Sequence, residues 1–138
     1  MTNTVDVMRA KILFDVIKEP CGMDTILSTE DLCRDFKIGD GSVVNALKNI
    51  NIEIEKGKLT ILRGRSGSGK TTLINILGAL DKPTKGKVMF GGRDITRLSE
   101  RARDDIRRYK MAFVFHSVAL MSGMTAYENV DFGLRLAK

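Results

Sequence analysis

Gly64-Arg65-Ser66-Gly67-Ser68-Gly69-Lys70-Thr71 is the stretch that decides the fold. It fits the pattern G-x-x-x-x-G-K-[ST], a phosphate-binding loop, and its flanks suit that reading. Leu59-Thr60-Ile61-Leu62 before it is a short apolar run expected to form a buried strand, and Thr72-Leu73-Ile74-Asn75-Ile76-Leu77 after it opens a helix. Glycines carry no Cβ, so such a loop can turn its backbone N–H groups toward phosphate oxygens. The following helix aims the positive end of its dipole at the same anion. Lys70 adds a full charge for the β- and γ-phosphates, and Thr71 offers a hydroxyl to Mg2+. Arg65 fills an unconstrained slot, where it either touches phosphate or is solvated.

Upstream, Thr25–Leu32 reads as a strand, Ile38-Gly39-Asp40-Gly41 as a turn, and Val43 to Leu47 as renewed extended chain. Ile50, Ile52 and Ile54 alternate with Asn51, Glu53 and Glu55, the signature of a half-buried strand. Lys56-Gly57-Lys58 turns the chain toward the loop. Downstream, the helix carries Leu73, Ile74, Ile76, Leu77 and Leu80 and stops at Asp81-Lys82-Pro83-Thr84-Lys85-Gly86. Lys87–Phe90 and Arg93–Ile95 flank Gly91-Gly92 as a hairpin. Ser99 is placed to N-cap a helix whose apolar stripe is Ala102, Ile106 and Tyr109. Met111–Phe115 reads as a short apolar strand, and Thr125 with Glu128 has capping-box spacing for a helix over Ala126–Ala137.

The bulk properties narrow the class without deciding it. A chain of 138 residues makes one domain or part of one. No run approaches the roughly 18–20 apolar residues of a membrane span, and no signal segment opens the chain, so a cytoplasmic location is expected. Two cysteines, Cys21 and Cys33, are too few and too far apart for a zinc site or a disulfide framework, and free thiols are expected. The net charge of +6 suits an anionic ligand, a nucleic acid or an acidic surface equally. Residues 1–22 differ from the rest, with Val5, Met8, Ile12 and Val16 at helical spacing. They read as a helical extension or a non-native start, and residues 23–138 as the nucleotide-binding unit.

From about Met23 onward the chain resembles the first half of an ATP-binding cassette (ABC) transporter ATPase, most closely the lipoprotein-release, macrolide-export and cell-division type. The matching residues are Val44-Asn45-Ala46-Leu47-Lys48-Asn49-Ile50, the loop from Gly64 to Thr72, Leu80-Asp81-Lys82-Pro83-Thr84-Lys85-Gly86, Phe113-Val114-Phe115 and Thr125-Ala126-Tyr127-Glu128-Asn129-Val130, in family order. The resemblance implies an α/β fold: a P-loop NTPase core with an antiparallel β-subdomain, truncated before the signature helical subdomain and the Walker B strand are complete. It implies ATP and Mg2+ as cofactors, a transmembrane permease subunit and a second ATP-binding subunit as partners, and a peripheral place on the inner face of the membrane. It puts Phe36 where an aromatic ring stacks on adenine; the alternative is a half-buried aromatic at a strand end. The cofactor-binding set is then Phe36, Gly64, Arg65, Ser66, Gly67, Ser68, Gly69, Lys70, Thr71 and Thr72, with Thr71 and His116 toward the metal.

His116 stands where the family has the glutamine of its Q-loop. Mg2+ prefers oxygen ligands, so an imidazole there is expected to weaken the metal site and its coupling, or to be a tolerated variant facing the cleft. The chain has no Gln, a single His, and no hydrophobic run ending in Asp-Glu. The family's signature sequence, Walker B Glu and switch His have no counterpart in it, so sustained hydrolysis by this chain alone is not expected. Two other readings remain open: a nucleotide-binding or regulatory fragment without turnover, and a soluble ABC ATPase acting on DNA. Against the latter, Asp104 and Asp105 interrupt the basic run of Arg101, Arg103, Arg107, Arg108 and Lys110, which reads as a solvated helix face. Met111, Met121 and Met124 suit either core packing or contact with a membrane partner.

Overall fold

The computed structural model describes residues 24–39, 41–115 and 120–136. The extension over residues 1–22, Cys21, Asp40, His116 and Ala137 lie outside the described residues. Strands β1 (Thr25–Lys37) and β2 (Val43–Glu55) are followed by helix α1 (Lys70–Leu77). The short hairpin β3 (Lys85–Phe90) and β4 (Arg93–Asp94) comes next, then helices α2 (Glu100–Tyr109) and α3 (Ala126–Leu136). The strands form one antiparallel sheet in the order β2-β1-β3-β4. The two extended runs expected over Val43–Leu47 and Ile50–Glu55 are a single strand.

Strands β1 and β2 keep their register across that length through compensating irregularities. Between Thr29 and Leu32, β1 advances by one residue more than β2, and between Leu32 and Arg34 β2 regains it. The residues at these two of the four register shifts, Asp31 (φ 45°) and Asn49 (φ 47°), are of the types that tolerate the left-handed region. Each is held by side-chain bonds across the strands. The Asp31 amide donates to Asn51 Oδ1 at 2.7 Å, and the Asn49 amide donates to Cys33 Sγ at 3.3 Å. Gly86 on β3 lies against the first bulge, where a Cβ would sit 2.4 Å from the Asp31 carbonyl oxygen. Cys33 is a free thiol.

The core lies between this sheet and α1. Leu27, Leu32 and Val88 from the sheet and Ile76 from α1 are the largest fully buried side chains. Leu47, Ile54, Leu73 and Leu77 pack around them, and Ile106 of α2 and Met111 join the same cluster. Thr29 is buried but satisfied: its hydroxyl donates to Ile50 O at 2.8 Å and accepts from the Ile52 amide at 3.2 Å.

Several expectations are corrected. Leu59–Leu62 does not form a buried strand; Leu59 and Ile61 are 69% and 49% exposed, and only Arg63 makes an isolated bridge. Met111–Phe115 is likewise not a strand, and Val114 and Phe115 are exposed. An apolar strand is buried on both faces only inside a sheet with neighbours on either side, and among the described residues no strand flanks these two segments. The stripe on α2 is corrected too. Tyr109 is exposed and Arg103 is buried instead, its guanidinium donating to Ala79 O at 3.4 Å. Arg107 donates to the same carbonyl, so the basic run is not simply a solvated face. The carbonyls just past a helix end need outside donors, and two arginines of α2 supply them at the end of α1. Leu80 lies beyond α1 rather than in it.

The remaining elements follow the local signals. Gly91 (φ 54°) and Gly92 (φ 76°) give the two positive φ angles of the tight turn between β3 and β4. Ser99 caps α2, its Oγ accepting from the Ala102 amide at 3.3 Å. At α3 the Glu128 carboxylate accepts from the Thr125 amide at 2.7 Å while Thr125 Oγ1 accepts from the Glu128 amide at 3.3 Å, a closed capping box. Asn129 organises the preceding loop, accepting from the Met121 amide at 2.8 Å and donating to the carbonyls of Met121, Met124 and Thr125.

Candidate nucleotide site

The glycine loop ends in the first turn of α1. Gly67 (φ 78°) and Gly69 (φ 86°) take backbone angles that residues with a Cβ adopt only under strain. Gly69 is the N-cap of α1, and no side chain caps the helix. No acidic residue lies in its first turn. The first N–H groups of a helix have no intrahelical acceptor, so this end is left to accept an anion. Gly69 also fixes where the loop sits: a Cβ there would stand 2.5 Å from the Ala46 carbonyl oxygen on β2. At Gly67 the space is open.

Lys70 bends back over the loop. Its Nζ donates to Gly64 O and Arg65 O, at 2.5 Å each, and to Ser68 Oγ at 3.2 Å. The loop closes on itself through the Ser68 amide, which donates to Arg65 O at 3.2 Å. Gly64 is buried, Lys70 is half-buried, and Arg65, Ser66, Gly67 and Ser68 are exposed. Thr71 stands exposed in the first helical turn and Thr72 is half-buried beside it. The structure thus brings Gly64, Arg65, Ser68 and Lys70 into direct contact, on a helix whose buried face, Leu73, Ile76 and Leu77, anchors it in the core.

A phosphate group fits this cradle: a lysine ammonium, an uncapped helix start and glycines at positive φ converge on one loop. For Mg2+ the first turn of α1 offers the exposed Thr71 hydroxyl, and the described residues hold no cluster of three or more His, Cys, Asp or Glu side chains. That fits an ion that takes most of its ligands from phosphate oxygens and water. His116 lies outside the described residues.

Phe36 lies near the end of β1, 38% exposed, paired with Val44 of β2. The guanidinium of Arg34 covers its ring, with 4.6 Å from the Arg34 carbon to the ring centroid. Arg34 is bound in turn to Asp81, just beyond α1, at 3.0 Å. Sequence reasoning did not single out Arg34 as part of the site. The available signal was its place two residues before Phe36, since alternate residues of a strand share a face.

Residues 47–138 match the ABC transporter family. The chain belongs to that family. Among its relatives is the lipoprotein-releasing system ATP-binding protein LolD of Geobacter metallireducens, 40% identical over 115 residues that make up 83% of this chain and 51% of LolD. The macrolide export ATP-binding/permease protein MacB of Vibrio parahaemolyticus is 41% identical over 108 residues, 78% of this chain but 16% of MacB. Among solved structures, the dimeric bacterial ABC transporter cassette MJ0796 superposes with a TM-score of 0.70 at 35% identity, covering 81% of this chain and 48% of the cassette. The same cassette has been solved in a post-hydrolysis state bound to ADP and Pi. The expected fold class, a P-loop NTPase with an antiparallel β-subdomain, is therefore that of an ABC cassette, and this chain spans about half the length of LolD and of MJ0796. Among the described residues no helix is long and apolar enough to cross a membrane.

Proposed function

We propose that this chain binds ATP–Mg as the front part of the ATP-binding subunit of an ABC transporter. In the whole protein, binding energises export or release of a substrate at the membrane. The observation that carries the reading is the Lys70 ammonium held over a glycine loop that opens into an uncapped helix. Lys70 neutralises the β- and γ-phosphates, and the loop amides with the start of α1 bind their oxygens. Ser66 and Ser68 line the loop, and Thr72 follows in the same turn. Thr71 gives its hydroxyl to Mg2+, and Phe36 stacks on the base. Bound Mg2+ supplies charge neutralisation between the terminal phosphates. The family resemblance assigns His116 to the metal, as a weaker partner than an amide oxygen. The partners are a permease subunit and a second ATP-binding subunit, with the protein peripheral on the cytoplasmic face. The names of LolD and MacB support that setting, and the dimeric form of MJ0796 supports the second subunit.

A second reading concerns this stretch by itself: it holds nucleotide without turning it over. What favours it is the composition, since the sequence holds no glutamine to orient water and no hydrophobic run ending in Asp-Glu. Both readings are checked by titrating the chain with ATP, with and without Mg2+, while assaying phosphate release. Saturable binding without release is the expected result, and absence of binding would overturn both. A parallel Mg2+ series on His116→Gln is expected to show tighter Mg2+ dependence; an unchanged series would remove His116 from the metal site.

A further inference from the structure

We propose that Arg34, locked by Asp81, is a positioning residue for the nucleotide base. It fixes the Phe36 ring and leaves the opposite ring face to take a purine. The proposal rests on the reading that Phe36 stacks on the base.

Three observations carry it. First, Arg34 and Phe36 lie on the same face of β1, and the Arg34 guanidinium covers one face of the ring at 4.6 Å. Phe36 nonetheless keeps 38% of its surface exposed. Second, the guanidinium is held from behind. Arg34 Nη2 lies 3.0 Å from both Asp81 carboxylate oxygens, and Asp81 Oδ1 also accepts from the Lys82 amide at 2.7 Å, which fixes the carboxylate. Around this pair the strand end is clasped to the same segment: the Thr84 amide donates to Cys33 O at 2.8 Å, and the Asp35 amide donates to Thr84 Oγ1 at 2.9 Å. The segment that follows α1 is thus stapled to the residues immediately before Phe36. Third, the Arg34 Nε is buried without a hydrogen-bond partner. A lone ion pair at the surface is worth little and does not ordinarily hold a guanidinium with an orphaned donor. Its place is explained by what it lies on.

The physical effect is on the ring. A flexible aromatic side chain at a strand end must be immobilised before it can stack, which costs rotamer freedom on binding. Arg34 holds the ring in advance. Its charge also draws π density toward itself, so the far face is less negative and meets the π cloud of a neutral base with less repulsion. Arg34 and Phe36 together form a platform, coupled through Asp81 to the far end of the same helix whose start binds phosphate.

The test separates base from phosphate. The chain is titrated with ATP and with inorganic tripolyphosphate, which engages the loop alone. Arg34→Leu is expected to weaken ATP by about three- to tenfold and leave tripolyphosphate unchanged. Asp81→Asn is expected to shift ATP in the same direction, and Arg34→Lys to recover part of the loss. As a spectroscopic signature, Phe36→Trp introduces a single indole into a chain without Trp, and ATP is expected to quench it less when Arg34→Leu is added. If Phe36→Ala lowers ATP affinity relative to tripolyphosphate but Arg34→Leu and Asp81→Asn do not, the inference is overturned and the stacking reading stands. If Phe36→Ala leaves that ratio unchanged, both fall. Equal loss of ATP and tripolyphosphate in Arg34→Leu would mean that Arg34 only supports the fold, and would also overturn the inference.

Discussion

At the scale of single residues, the site depends on a few backbone positions that only glycine fills easily. Gly69 combines a φ of 86° with a 2.5 Å approach to Ala46 O, so Gly69→Ala meets both strain and a backbone clash. Strain of that kind costs about 1–3 kcal/mol, and relief would push the loop away from β2. We expect Gly69→Ala to lower the urea midpoint and to abolish nucleotide binding; an unchanged midpoint with intact binding would contradict the packing described here. The glycine pattern and Lys70 were legible because the motif states the chemistry in contiguous residues. The partners of Lys70 and the cover on Phe36 were not, since each is made by a fold that brings distant backbone or side chains together. The same holds for Arg103 and Arg107. Their spacing looks like a charged helix face, yet both reach the carbonyl of Ala79, because the end of α1 needs donors that its own chain cannot supply.

At the scale of elements, β1 shows how local irregularity is shared. Its bulge at Asp31 is accommodated by β2 on one side and by Gly86 of β3 on the other. Gly86→Ala would place a Cβ 2.4 Å from the Asp31 carbonyl oxygen at a φ of 87°, and we expect a loss of about 1–3 kcal/mol, read by chemical denaturation. The strict alternation of Ile50, Ile52 and Ile54 made β2 readable, and turn and cap residues made the hairpin and α3 readable. The bulges were not readable, because alternation does not record which residue is skipped. The capping box of α3 carries a pH prediction. The Thr125 amide and then its hydroxyl hold the Glu128 carboxyl below its ordinary value of 4.5. A carboxyl with a lowered folded pKa contributes stability above its unfolded pKa, and that contribution disappears as pH falls through the folded value. The first turn of α3 is therefore expected to keep its amide protection at neutral pH and lose it in acid below the ordinary glutamate range, followed by hydrogen exchange. Thr125→Ala removes the hydroxyl that accepts from the Glu128 amide, so protection of that amide is expected to fall at every pH, at a cost of about 0.5–2 kcal/mol of helix stability.

At the scale of the whole molecule, the described residues form an antiparallel sheet with α1 packed on it, and the two apolar runs beside it lie largely uncovered. Leu59, Ile61, Val114 and Phe115 expose the surface expected of core strands. Their apolar composition reads as that of buried strands, which the structure does not form. Strand formation was not decided by composition, because a strand buried on both faces exists only through its neighbours. Exposed apolar surface of this kind favours association. We expect the isolated chain to bind a hydrophobic dye, and a Leu59→Ser, Val114→Ser double substitution to reduce that binding without lowering the unfolding midpoint. The central claim concerns the loop, which is complete within this chain and anchored by the buried face of α1. The measurement that tests it most directly is calorimetric titration of the 138-residue chain with ATP–Mg, beside Lys70→Ala. The account predicts saturable binding that Lys70→Ala weakens by roughly 2 kcal/mol or more, as expected when one partner of a close charge pair is removed. Equal affinity in both proteins, or no binding by either, would contradict it.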